Sequence, residues 1–145
     1  MLLSERYAHK INTIDDLKTG LLHAVGHTTV MCHGVFDVVH PGHLRHLSYA
    51  KSKADILIVS VTADKHVTKG VYRPHVPEGM RAANVAAFEF VDYVIIDAHP
   101  TPIENIKRLK PDYFAKGFEY VTNDTTTKAE AEAVASYGGE MLFTP

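Results

Sequence analysis

The sequence holds a single cysteine, Cys32. A lone thiol closes no internal disulfide, so the chain must be held by its core. Set in an apolar run, Cys32 reads as a small buried hydrophobe. Scarce cysteine also fits a reducing compartment, and a cytoplasmic location is the expectation. Long hydrophobic runs are missing: none approaches the ~20 apolar residues of a membrane span. The opening MLLSERYAHK lacks the apolar stretch of a secretion signal, so no membrane partner is expected. Charge of one sign is missing too. Fifteen Lys and Arg against seventeen Asp and Glu leave a net charge of −2, which argues against a broad nucleic-acid-binding face. What the chain has in excess is histidine, ten in all, able to add considerable positive charge below about pH 6.5.

A length of 145 residues is that of about one domain, enough to bury most of the apolar surface of the unfolded chain. Five short apolar segments, Thr29–Cys32, Asp55–Thr62, Val91–Asp97, Asp112–Lys116 and Glu140–Phe143, read as strands covered on both faces. Helical patterns lie between them. Gly42–Lys53 and Glu78–Phe90 carry apolar residues at helical spacing. Thr101–Lys110 starts with Thr101 as N-cap, Pro102 in the first helical position and Glu104 placed for a capping box. Thr127–Gly139 repeats the device with Thr127 and Glu130, and Gly138 ends it. Strands alternating with helices predict a Rossmann-like three-layer α/β/α domain with a five-stranded parallel sheet. Residues 1–27, including a helix in TIDDLKTGLL, read as an N-terminal helical extension, and 28–145 as the domain. The chain stops at LFTP, just after the last strand, so a piece of a longer polypeptide or a shortened domain is the expectation.

In open α/β sheets ligands bind beyond the carboxyl ends of the strands. HGVFDVVHPGH, from His33 to His43, falls there, between the first strand and its helix. Pro41 suits the first helical turn. Gly34 and Gly42 let a ligand approach the backbone closely, and the helix N-terminus favours phosphate. His40 and His43, three residues apart at that helix start, can face one pocket. Imidazole N–H donors aimed at a triphosphate attacked at its α-phosphorus would stabilise the developing charge. Polar, basic and long, the loop from Ala63 to Pro77 has the character of a functional loop.

GVFDVVHPGH resembles the G-x-F-D-x-x-H-x-G-H signature of the cytidylyltransferase-like nucleotidyltransferases; Gly34, Phe36, Asp37, His40, Gly42 and His43 all match. RPHVPEGMR resembles that family's loop-and-helix segment, with Arg81 at its phosphate-contacting arginine. VDYVII places Asp92 where the family has an aspartate. KPDYFAKGFEY and YGGEMLF are similar to the adenylyltransferase half of the ADP-heptose synthases. The resemblance covers about Thr28 to Pro145. It implies attack by a small phosphate or phosphonate substrate on the α-phosphorus of CTP or ATP, with pyrophosphate leaving and Mg²⁺ bridging the phosphates. The chain itself is expected to supply no dedicated metal ligands. His40, His43, Lys69 and Arg81 would be catalytic. Gly34, Val35, Phe36, Asp37, Gly42, Lys116 and Gly117 would hold the nucleotide, and Lys65 and Arg73 the second substrate. The resemblance also implies a homodimer and fusion to another catalytic domain.

CTP is the first expectation, from the family's main activity; ATP with a sugar phosphate of the heptose-phosphate type is the alternative. Blander readings stand beside these. His40 and His43 would only cap a helix; His33, His40, His43 and His46 would form a zinc site; Asp37 would only tie the loop; Lys65, Lys69, Arg73 and Arg81 would be surface charges. The family's Ser/Thr-rich segment after the last strand has no counterpart here, because DTTTK precedes that strand. A nucleotide-binding module without turnover is therefore a rival. A flavodoxin-like binding domain is another, although the first loop has histidines where a receiver domain wants acids and a flavin site wants Ser/Thr.

Overall fold

The computed structural model describes residues 2–19, 26–68, 70, 73–121 and 124–145. Five strands form one parallel sheet: β1 (Thr29–Gly34), β2 (Ile56–Thr62), β3 (Tyr93–Asp97), β4 (Tyr113–Gly117) and β5 (Glu140–Thr144). Their order is β3-β2-β1-β4-β5, so the winding reverses between β1 and β4. The expected Rossmann-like α/β fold is the one observed. Helices α1 (Leu3–Arg6), α2 (Ile14–Thr19), α3 (Pro41–Lys51), α4 (Glu78–Ala86), α5 (Ile103–Leu109) and α6 (Thr125–Ala135) accompany it.

Successive strand residues point to opposite faces, and each face meets its own helices. Val30, Cys32, Leu57, Val59 and Val61 pack with Leu47 and Ala50 of α3 and Ala82, Val85 and Ala86 of α4. Met31, Ile58, Ile95 and Phe114 pack on the other side with Ile106 and Leu109 of α5, Ala133 and Val134 of α6, and Leu17 of α2. Cys32 is fully buried in the first of these cores, and burial pushes its thiol pKa up. Aspartates tie the lower strand edge. Asp92 accepts from the Leu57 N–H and from Lys51 Nζ, both at 2.8 Å, and Asp112 accepts from the Thr29 N–H at 2.8 Å.

Two local expectations change. Helix α5 begins at Ile103 with no side-chain cap; Pro102 holds the cap position and Thr101 faces the upper cleft instead. Helix α6 is capped by Asp124, whose Oδ1 accepts from the Thr127 N–H at 2.7 Å, so Thr127 lies one turn inside it. A carboxylate also suits the positive end of the helix dipole. Residues 2–19 pack into the same unit. The Val94 N–H donates to the Lys10 carbonyl (2.8 Å) and the Asn12 N–H to the Val94 carbonyl (2.9 Å), covering part of the β3 edge. Residues 20–25, which include the end of the helix expected in TIDDLKTGLL, lie outside the described residues. Gly138, at φ +91°, turns the chain away after α6 as expected. Among the described residues no helix is long and apolar enough to cross a membrane.

Candidate active site

A cleft of about 1020 Å³ opens at the carboxyl ends of the strands. It straddles β1 and β4, the reversal point where such sheets bind ligands. The first loop forms its centre. Gly34 lies against the Phe36 ring, 3.0 Å from where a Cβ would sit, and Phe36 takes the left-handed φ of +53° that folds the ring back over Gly34. Gly42 is required by contact of another kind: a Cβ there would come 2.8 Å from the His40 ring.

That ring is folded over the helix start for a reason. His40 is the N-cap of α3, and its Nδ1 accepts from the Gly42 N–H at 3.0 Å. His43 reaches back, its Nδ1 accepting from the His40 N–H at 3.3 Å. A neutral imidazole whose Nδ1 accepts carries its proton on Nε2. The two rings stack at 3.9 Å, and Phe36 lies 5.2 Å from His43. Burial foremost, then the nearby His40 and His46, holds the His43 pKa below its ordinary value and favours the neutral ring. Capping and site geometry are thus one arrangement, which fixes both tautomers and leaves two Nε2–H donors for the cleft.

Asp37 is nearly buried and ties the loop. Its Oδ2 accepts from Arg73 Nη1 (3.0 Å) and the His75 N–H (2.9 Å), and its Oδ1 from the Val76 N–H (2.9 Å). The His75 N–H, joined by Val76 and Arg73, pulls its pKa down against the effect of burial. Arg73 is half exposed on the cleft wall. Arg81 is not where the resemblance implied. It is fully buried and absent from the cleft wall, donating from Nε to the Val76 carbonyl (2.8 Å), from Nη1 to the carbonyls of Val35 (2.8 Å) and Thr62 (2.7 Å), and from Nη2 to Asp64 (2.7 Å). Four of its five donors are thereby engaged, so it clamps the ends of β1 and β2 to the loop. Lys65 sits exposed in the short 3-10 helix Asp64–His66, outside the cleft lining. Lys69 lies outside the described residues.

The β4 side carries Lys116 and Gly117, both in the cleft wall. Sequence reasoning missed the partners of Lys116. Its Nζ donates to Glu130 (2.5 Å) and Thr127 (3.2 Å) and lies 4.5 Å from the Tyr120 ring centre. Glu130 is buried, which raises its pKa against the opposing pull of Lys116. The signal was available: Thr127, Glu130 and Val134 fall on one face of α6, and Val134 fixes that face as buried. His33 bonds Ser60 (2.8 Å) and Thr62 (3.3 Å) beneath the loop.

The zinc reading fails on placement. Among the described residues no group of three or more His, Cys, Asp or Glu could hold a metal ion. Magnesium wants carboxylate oxygens. Of the carboxylates in the cleft wall, both Asp37 oxygens are taken by the loop, Asp124 caps α6 and Glu130 pairs with Lys116, which leaves Glu119. Alone it would hold Mg²⁺ only together with the phosphates of a bound nucleotide.

The profile of the family described as "Cytidylyltransferase-like" matches residues 31–138. The chain belongs to this family. Members are nucleotidyltransferases, and the cleft with its paired imidazoles is of a kind that can serve one. Among curated proteins, the bifunctional protein HldE of Geobacter metallireducens is 36% identical over 91% of the chain and 27% of its own length. HldE of Campylobacter jejuni subsp. doylei is 42% identical over 79% of the chain and 25% of its own length. The chain thus spans about a quarter of the length of these curated relatives. In fold it is similar to a lipopolysaccharide core biosynthesis protein of Thermoplasma volcanium, with TM-score 0.71 and 24% identity over 83% of this chain and 98% of that one. It is also similar to a pantoate-beta-alanine ligase of Francisella tularensis, with TM-score 0.65 and 13% identity over 93% of this chain and 66% of that one.

Proposed function

We propose that this unit transfers an adenylyl group from ATP to a small sugar phosphate of the heptose-phosphate type, releasing pyrophosphate. The observation that carries the reading is the pair of Nε2–H donors on His40 and His43 at the mouth of α3, where the sheet's winding reverses. An oxygen of the sugar phosphate attacks the α-phosphorus, a new P–O bond forms, and the bond to the bridging oxygen breaks as pyrophosphate leaves. The nucleophile is already an anion, so no side chain need remove its proton. Charge grows on the oxygens around phosphorus, and fixed donors there are worth about 10²–10³ in rate each. Arg73 on one wall and Lys116 on the other bring cationic donors to the cleft, each held by a carboxylate, Asp37 and Glu130. Asp37 and Arg81 hold the loop that carries the donors and act through it.

ATP takes precedence over CTP, the first expectation from sequence, for two reasons. KPDYFAKGFEY resembles the adenylyltransferase half of the ADP-heptose synthases, and the curated relatives at 36–42% identity are HldE proteins. Those relatives are bifunctional by name, which supports a second catalytic unit working beside this one. Magnesium enters this reading with the nucleotide's phosphates, as part of the substrate. The test is pyrophosphate release from ATP and from CTP with a panel of sugar phosphates and small phosphonates, followed by product mass. ATP with a sugar phosphate is expected to turn over fastest. Turnover with CTP alone would restore the cytidylyl reading, and nucleotide binding without turnover would establish the non-catalytic module.

A further inference from the structure

Lys116 ends β4 in the cleft wall, its side chain only 14% exposed. An ammonium this far from water needs partners. Three are present. Glu130 Oε1 accepts from Nζ at 2.5 Å, Thr127 Oγ1 accepts at 3.2 Å, and the Tyr120 ring centre lies 4.5 Å away. Thr127 and Glu130 are three residues apart, so both meet the ammonium from one face of α6. Thr127 is itself fixed, its N–H bound to the Asp124 cap. Glu130 is the deeper partner, its side chain 5% exposed. Among the described residues its carboxylate takes a hydrogen bond from Lys116 alone. Asp37 differs: it holds Arg73 but also accepts from two backbone N–H groups, so it has a loop to tie. Glu130 has only the lysine.

A buried ion pair adds little stability that well-packed apolar residues would not supply, so its use is sought in the cleft. Released from α6, the flexible stem of Lys116 would sample many rotamers, and a ligand would have to order it on binding. Held as it is, the ammonium is ordered beforehand. Two of its three hydrogens are engaged, and the third has no acceptor among the described residues. Resting on the nucleotidyl-transfer reading, we propose that Glu130 is a positioning residue: it holds Lys116 Nζ in the cleft wall, ready to donate its remaining hydrogen to the bound nucleotide. Glu130 acts through Lys116 alone, and Thr127 supports the same ammonium from the preceding turn.

The test combines calorimetric titration of ATP with pyrophosphate-release kinetics. It compares the wild type, Glu130→Ala, Glu130→Gln, Lys116→Met and the double variant of Lys116→Met with Glu130→Ala. Glu130→Ala should weaken ATP binding about ten-fold, the worth of one hydrogen bond. KM for ATP should rise by a similar factor while kcat changes less, since the contact is made before the reaction as well as during it. Glu130→Gln keeps an oxygen in reach of Nζ and should recover part of the loss. Lys116→Met should weaken ATP at least as much as Glu130→Ala. In the Lys116→Met background Glu130→Ala should weaken ATP no further, because residues acting through one contact are not additive. Should Glu130→Ala fail to fold, Glu130→Met, closer to glutamate in volume, takes its place in both backgrounds. A merely structural Glu130 would lower the urea midpoint, leave KM where it was and take no account of Lys116. Wild-type ATP affinity in Glu130→Ala, the same loss with and without Lys116, or a Gln variant no better than Ala would overturn this inference alone. Failure of the wild type to bind either ATP or CTP would overturn the nucleotidyl-transfer reading and this one with it.

Discussion

His43 occupies the third position of α3, where glutamate or glutamine commonly reaches back to close a capping box. Its Nδ1 does that structural work while Nε2–H is left for the ligand, and the two uses can be separated by substitution. His43→Gln retains a side chain able to close the box but displaces the donor. His43→Ala loses both. Each variant should lose about 10²–10³ in pyrophosphate release. In urea denaturation the Gln variant should match the wild type, whereas the Ala variant should lose about 1 kcal/mol. Near-wild-type turnover in His43→Gln would show that the donor is not used. The motif pointed to both histidines from sequence, and the capping that the rival reading expected of them is what the structure shows. What the motif did not carry was the tautomer, because that depends on which backbone N–H each ring meets after folding.

Helix α4 and the loop before it hang on Arg81. Its guanidinium holds the carbonyls at the ends of β1 and β2, a loop carbonyl and Asp64 from a fully buried position. Arg81→Met fills similar space but strands those acceptors, and a broken buried network costs about 3–5 kcal/mol. Arg81→Lys should recover little, since one ammonium cannot reproduce a planar fork with donors in several directions. Both variants should show a lowered urea midpoint; an unchanged midpoint in Arg81→Met would remove its role as a clamp. The elements themselves were readable. Every strand lies where a short apolar run predicted it, since strands covered on both faces have few other compositions. Helix starts were less readable: Thr101 and Asp124 are both plausible caps, and only the path of the preceding loop decides which is used. The burial of Arg81 was illegible for a similar reason, as its four acceptors come from three separate loops and strand ends.

Across the whole molecule, His33, His43 and His46 make stability sensitive to mild acid. His33 dominates. Packed between Ser60 and Thr62 under the first loop, it is driven by burial from an ordinary 6.5 to about 4, with Lys116 adding to the effect and Asp97 opposing it. Below about pH 6.5 the unfolded chain takes up a proton that the folded chain refuses. Its contribution is therefore complete above pH 6.5 and falls away as the pH drops towards 4. His43 and His46, also lowered, push in the same direction. The depressed carboxylates Asp37, Asp55 and Asp124 release their stabilisation only below their ordinary value of 3.8. The interval from pH 7 to 4.5 thus belongs mainly to these histidines, with the raised Glu130 carboxyl working against them. Over it the wild type should lose roughly 2–3 kcal/mol through His33 in urea unfolding. His33→Asn, which can still meet Ser60 but carries no titrating ring, should be less stable at pH 7 and lose correspondingly less on acidification. Parallel pH profiles for the two proteins would mean that the His33 ring is protonated as readily in the fold as outside it.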